Sequence, residues 1–350
     1  TYNTLIGARA GDAIQDGGFN TVVGADAGTE LTSGTNNVFV GREAGKNTTT
    51  AIKNVAIGEQ ALKTNVDGDG SVAIGYESLK TLEPSDGLSY NVAVGYQAGL
   101  SVTTGVRNTL IGSGAGDAIT TGNQNTIIGE GAGTALTDAD YNVVLGRAAL
   151  PADTKGSKST AVGYNALATQ NFTSATDAFN TAVGYEAGQS VTTGIKNTFV
   201  GLVSGNAMTT GDKNTIIGGF SGNQGGLDIR TGDSNIVLSD GDGNPRGYYH
   251  GSSTSPNWKY ATPTANQYAM VVQNTNSSNP YGFFMQFTDA APDNNTNLFF
   301  LGADSSTSRF KVDSDGDVKN HDNSYGSTSD IKLKEQIADA SSQWDDIRAL

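Results

Sequence analysis

Few side chains in this 350-residue chain are spaced for chemistry, and the clearest set lies near its end. Ser329 and Asp330 are followed by Lys334 and Glu335. A serine hydroxyl becomes nucleophilic beside a base, and a desolvated lysine amine can serve as one. Such a pair needs no substrate pocket if it acts once, on its own chain. The same residues also fit a helix N-terminus, with Ser329 or Asp330 as the cap and Glu335 facing the first turn. The two readings are compatible.

Two acidic runs have the oxygen density of a calcium loop: Asp240-Gly-Asp242-Gly-Asn244 and Asp313-Ser-Asp315-Gly-Asp317. A helix–loop–helix calcium site requires Gly at its sixth position and Glu at its twelfth. Pro245 and Val318 hold the sixth positions, so hairpin turns are expected at both runs. Asp67-Gly-Asp69-Gly70 reads as a turn of the same kind. His250 and His321 are isolated, and neither a metal site nor a cofactor is expected. Paired carboxylates could cleave a glycan. Here Glu43, Glu59, Glu77, Glu130 and Glu186 recur near one repeat position, which reads as a solvated face rather than a chosen pair. A cluster of Arg246, Tyr248, Tyr249, His250, Trp258 and Tyr260 could stack on sugars; the alternative is that these rings pack in a core.

The element that must carry such groups is a repeat. The phrase Asn-(Thr/Val)-x-(Ile/Val)-Gly-x-x-Ala-(Gly/Leu) starts at Asn3, Asn20, Asn37, Asn54, Ser71, Asn91, Asn108, Asn125, Asn142, Ser159, Asn180, Asn197, Asn214 and Asn235. Most steps are 17 residues, and those from 71 to 91, 159 to 180 and 214 to 235 are stretched. A short fixed period predicts stacked coils, each one contacting its neighbours. The glycine at position 5 marks the turn that ends a short strand, and Thr-Thr-Gly or Thr-Ser-Gly precedes the next coil as a turn signal. Fourteen strands at ~4.8 Å spacing make a rod of roughly 65 Å. Copies 54 to 125 recur as copies 142 to 214, shifted by 88 or 89 residues, as a tandem duplication would leave them.

Position 4 is always Ile, Val or Leu, and position 2 is Thr, Val or Ile, so this alternating pair is expected to line the coil interior. Position 3 would then point outward, yet it is Leu5, Val22, Phe39, Ala56 and equally apolar residues throughout. Strands apolar on both faces are buried on both. No other segment is large enough to cover fourteen coils, so self-association along the rod is expected. A homotrimer is the economical form, and a dimer is also open.

Composition narrows the classes. The net charge of −14 disfavours nucleic acid as a partner. No apolar run is long enough for a membrane-spanning helix, and no membrane insertion is expected. Cysteine is absent, so packing or oligomerisation must supply stability. The chain begins at Thr1 without Met, so a piece of something longer is expected. From Ser239 the period stops and an aromatic-rich stretch follows. Tyr268–Gln273, Gly282–Phe287 and Leu298–Leu301 read as strands of a small β tip domain. Leu333, Ile337, Trp344, Ile347 and Leu350 fall at helical spacing, predicting a short C-terminal helix.

Two resemblances follow. Ser71-Val-Ala-Ile-Gly75 is identical to the core phrase of the head repeats in trimeric autotransporter adhesins. The resemblance covers about residues 1 to 238 and implies a trimeric parallel β-roll. The adhesin repeats are shorter than those found here. Ser329-Asp-Ile-Lys-Leu-Lys-Glu335 resembles the start of the intramolecular chaperone that ends endosialidase-type phage tailspikes and many tail fibres. That resemblance implies a domain that trimerises, folds the β-structure ahead of it and cuts itself off, with Ser329 as nucleophile, Lys334 as base and cleavage before Ser329. Such domains are longer than residues 329 to 350, so the chaperone is expected to continue past Leu350.

The expected fold class is therefore all-β: a repetitive trimeric β-roll or β-helix solenoid (1–238), an aromatic-rich β tip (239–328), and the start of a chaperone with a short helix (329–350). The expected function is a structural, receptor-binding phage tail fibre in the extracellular virion. Its partners would be a bacterial surface glycan or protein and other tail proteins. A capsule-degrading tailspike enzyme and a bacterial trimeric surface adhesin are the alternatives.

Overall fold

The computed structural model describes residues 2–84, 87–251, 253, 258–260, 298–303, 307–313 and 318–320. They divide between two compact units, Thr1–Ala269 and Met270–Leu350. In the first unit every repeat opens with a three-residue strand, from Thr4–Ile6 and Thr21–Val23 to Thr215–Ile217, and the last strand is Ile236–Ser239. Each pairs in parallel with the strand one repeat on. The register sets equal positions side by side: Val22 beside Phe39, Phe39 beside Ala56, Ala56 beside Ala73. The result is a β-solenoid of about fourteen turns, all-β as expected, with no helix among the described residues. The C-terminal helix and the strands expected at 268–273 and 282–287 lie outside the described residues.

The two faces of the strand are the reverse of the expectation. Position 3 is the interior: Val22, Phe39, Leu110, Ile127, Phe199 and Ile216 have no exposed surface. Positions 2 and 4 point outward, with Ile57, Leu145, Ile217 and Leu238 all exposed. The reason lies in position 1. Asparagine there alternates onto the same face as position 3, and from Asn20 on it is buried in every coil that has it, as are Ser71 and Ser159 in the two that do not. A buried amide is tolerated only with its hydrogen bonds made. Asn125 shows how they are made. Its Nδ2 donates to the Ala139 carbonyl at 2.8 Å, and its Oδ1 accepts from the Asn142 backbone N–H at 2.9 Å. This ladder runs down the inside of the stack, and it draws position 3 inward with it.

The interior is fitted across coils rather than within one. Phe39 fills the room left by glycine at position 9, where a Cβ on Gly45 would lie 2.7 Å from its ring. Where position 9 is instead Leu62, Leu79 or Leu167, position 3 shrinks to Ala56, Ala73 or Ala161. A core at crystal-like density requires such exchanges of volume.

Two of the three stretched steps accompany a serine in the same ladder. Serine at positions 71 and 159 is shorter than asparagine: Ser71 Oγ still accepts from the Asn91 N–H, at a long 3.3 Å. In the first case Ser89, from the added residues, bonds Ser71 Oγ. In the second, Gln170 donates to Ser159 Oγ at 3.1 Å and accepts from Asn180 Nδ2 at 2.8 Å. The third stretched step extrudes a short antiparallel ribbon, Asn223–Gln224 with Leu227–Asp228.

After Ile236–Ser239 the chain reverses. Pro245–Tyr249 and then Trp258–Tyr260 add antiparallel strands to the same sheet. The second unit contains an antiparallel meander of Leu298–Ala303, Ser308–Asp313 and Val318–Asn320.

Candidate functional site

The outer face of the solenoid is where exposed, non-random side chains collect. Its centre is a stripe of positions 2 and 4: position 4 is Ile, Val or Leu in every coil, and position 2 is Thr in eight coils and Val or Ile in the other six. Glycine at position 5 ends each strand. At Gly129 φ is +143°, and an added Cβ would lie 2.4 Å from the Gly146 carbonyl oxygen, so backbone stacks directly on backbone at this edge. The next residue turns outward again and forms a column: Arg42 pairs with Glu59, and Tyr76 stacks on Tyr96 with centroids 5.3 Å apart. Five coils further on the column repeats. Arg147 Nε bonds Glu130 at 3.1 Å, and Tyr164 stacks on Tyr185 at 5.3 Å. The acid and base exchange places between the two copies while the pair itself is kept.

The residue just before each asparagine borders the opposite edge. It has positive φ with a full side chain in nearly every coil, as at Lys53 (61°), Tyr141 (60°), Lys158 (62°) and Phe179 (51°). Lys158 Nζ sits 5.3 Å from the centre of the Phe179 ring. These two bordering columns were missed from sequence because a 17-residue phrase invites reading across a coil. Their signal appears only when equal positions are read down the stack.

The recurring glutamates separate into two groups. Glu59 and Glu130 are exposed in the column after the glycine. Glu43 and Glu77 correct the solvated-face reading, because their side chains are largely covered. Glu43 takes Lys63 at 2.7 Å and Lys46 at 3.2 Å. Hydrogen bonding from Lys63, then Lys46, holds its carboxyl down to about 2. Glu77 is tied to Lys80 at 2.6 Å and to Gln97 at 2.9 Å. In the solenoid the Asp153 carboxyl is deeply buried and accepts from Gly156 N–H and Phe172 N–H at 3.0 Å and Gln170 Nε2 at 2.6 Å. Burial pushes its pKa up against those three donors.

The aromatic cluster at the end of the stack is split by strand alternation. Tyr248 pairs across from Val237, packs partly against the core, and lies under Lys259. Tyr249, Trp258 and Tyr260 share the outward face with Ile236 and Leu238 and continue the apolar stripe. The Tyr249 and Trp258 rings are 6.0 Å apart, and Tyr260 lies over Gly247. Arg246 does not join them; it pairs with Asp240. Asp240 also accepts from Asn244 N–H at 2.9 Å, and these bonds, that of Asn244 first, hold its carboxyl near 2. The run from Asp240 to Asn244 is thus a hairpin turn, as expected. Asp313 ends the strand that pairs antiparallel with Val318–Asn320, and its carboxylate has Lys319 at 2.5 Å and Lys311 at 3.1 Å; residues 314–317 of the second acidic run lie outside the described residues. His250 is half-buried. Ser329, Lys334 and His321 lie outside the described residues. Among the described residues there is no cluster of three potential metal ligands, and no helix is long and apolar enough to cross a membrane.

The fold thus defines a parallel β-solenoid whose outer face carries an aliphatic stripe. Comparison with known proteins finds no matching family model, no similar curated protein and no similar solved structure.

Proposed function

We infer that the chain is the shaft and receptor-binding portion of a phage tail fibre, assembled as a homotrimer around the aliphatic stripe. The stripe is the observation that carries this reading. Fully covering a Val, Leu or Ile side chain is worth ~1.5–3 kcal/mol, and contiguous exposed apolar surface of this length marks an interaction site. The three rods would enclose their stripes about a common axis. The outward rings Tyr249, Trp258 and Tyr260 would contribute to the end that meets a bacterial surface glycan or protein; Arg246 and Tyr248, on the other face of the strand, would not.

A paired substitution tests the stripe. Leu145→Asp should leave each chain folded, by circular dichroism, but dissociate the assembly. Val144→Asp, one residue away and pointing inward, should unfold the surrounding coils. If Leu145→Asp assembles as the wild type does, the stripe is not the contact surface. The proposed maturation has its own test. The chain expressed with its full C-terminus should yield a product ending at Thr328 by mass, and Ser329→Ala should leave it uncut. A product unaffected by Ser329→Ala would remove the self-cleavage reading.

A further inference from the structure

The wall of the coil behind the strand has a pattern of its own. Position 12 points inward there: Ile119, Leu136, Val191 and Met208 are buried, and a Cβ added to Gly116 would meet both Ile119 and Leu110 of the strand. Positions 11 and 13, on either side of it, reach solvent on this far side. Threonine fills position 13 in eight coils, from Thr32 to Thr209, and its hydroxyl donates to a carbonyl one coil on, as Thr120 does to Thr137 at 3.2 Å. The coil that starts at Asn214 departs from this pattern. Ile229 is its buried residue, and the Thr209 N–H donates to the Arg230 carbonyl at 2.9 Å, so Asp228 and Arg230 take the outward places. The asparagine ladder does not need the added residues of this coil, since the Asn235 N–H still donates to Asn214 Oδ1 at 2.9 Å. They build the ribbon that ends in Leu227–Asp228, and Leu227 and Ile229 close the core beneath it.

On the outside the insertion creates a groove of about 580 Å³, lined by Ser190, Ala207, Thr209, Asp228, Arg230 and Thr231. That volume is in the range of small-ligand sites. Arg230 is fixed in place, its Nε and Nη2 donating to the two Asp228 oxygens at 3.0 and 2.8 Å. This pairing uses two of the five guanidinium N–H groups. The others, and the remaining lone pairs of Asp228, are left for a ligand. The Ser190 and Thr231 hydroxyls have no bonding partner among the described residues. A donor and an acceptor held side by side match two neighbouring hydroxyls of a sugar ring, each of which can give and take a hydrogen bond. A free anion fits less well, because Asp228 already neutralises Arg230 and the chain carries a net charge of −14. A protein partner also fits less well: Ala207 is the one apolar side chain in the lining, and a protein interface has an apolar core. We propose that this groove binds a neutral glycan, with Asp228 and Arg230 on adjacent hydroxyls and Ser190 and Thr231 bonding further ones. The inference rests on the receptor-binding reading and gives the receptor a chemistry and a place. The groove lies on the side of the coil away from the stripe, so assembly through the stripe leaves it open.

Labelled full-chain protein on an array of neutral and uronic-acid-bearing bacterial oligosaccharides tests the groove. The wild type should retain neutral oligosaccharides that carry a free vicinal diol. Arg230→Ala and Asp228→Ala should each lower that binding about tenfold or more, as losing a hydrogen bond to a charged group does. Thr231→Val should lower it less, and circular dichroism and sedimentation should stay unchanged in all three. Glu30→Ala, at position 11 of a distant coil, should bind as the wild type does. Binding unchanged in Arg230→Ala overturns the groove; if it is lost in Trp258→Ala instead, the sugar sits at the aromatic end and the receptor reading stands. Retention of acidic oligosaccharides alone, or of none, also overturns the groove. If the wild type in addition adheres to no cells in a panel of bacterial strains, the receptor reading falls with it.

Discussion

Gly129 and Gly131 are two residues apart, and both have positive φ, but they do different work. A Cβ at Gly129 would meet the carbonyl of the next coil, whereas one at Gly131 has nothing within 4 Å. Gly129→Ala should therefore destabilise by about 2–5 kcal/mol, from backbone strain and overlap together. Gly131→Ala should cost only ~1 kcal/mol. Thermal unfolding of the two variants measures the difference, and equal effects would mean that the coil-to-coil approach at position 5 is looser than described. The same distinction separates glutamates that look alike in sequence: Glu59 is exposed beside Arg42, while Glu43 is enclosed by Lys46 and Lys63.

At the scale of a coil, the ladder of position-1 asparagines is the continuous polar element, and the stretched coils show what its continuity requires. Ser159 cannot reach the next coil, so Gln170 bridges it to Asn180 and also bonds the buried Asp153 carboxyl. Gln170→Ala removes all three contacts at once. Each buried group left unpaired costs ~1–3 kcal/mol, and more when it is charged. Backbone amides around Ser159 and Asn180 should then lose hydrogen-exchange protection, while those around Asn108 and Asn125 keep it. A uniform loss along the stack, or none, would contradict a ladder maintained locally. Strand position, turn glycines and the stretched steps were all legible in sequence because they follow from period and residue type. The link between a serine at position 1 and a longer coil was not, since it depends on where Gln170 reaches in space.

At the scale of the whole molecule, the period, the parallel stack and the presence of an unpartnered apolar face could be read from the chain. Which face it was could not. Position 4 is invariably Ile, Val or Leu and position 3 is often Ala, so size and constancy favoured position 4 for the core. The deciding residue was asparagine at position 1, whose burial is intelligible only once the ladder is seen. The reversal moves the outward apolar surface from Phe39 and Ile127 to the neighbouring positions, such as Ile57 and Leu145. The aromatic cluster was legible as a group, but its division by strand alternation between the core (Tyr248) and the outer face (Tyr249, Trp258, Tyr260) was not.

The central claim is that this outer face is covered by further copies of the chain. Sedimentation equilibrium of the full-length protein at low micromolar concentration tests it most directly. Three chain masses in a single species is the expected result. A folded, soluble species of one chain mass, with Leu145 and Ile217 accessible to solvent, would contradict it.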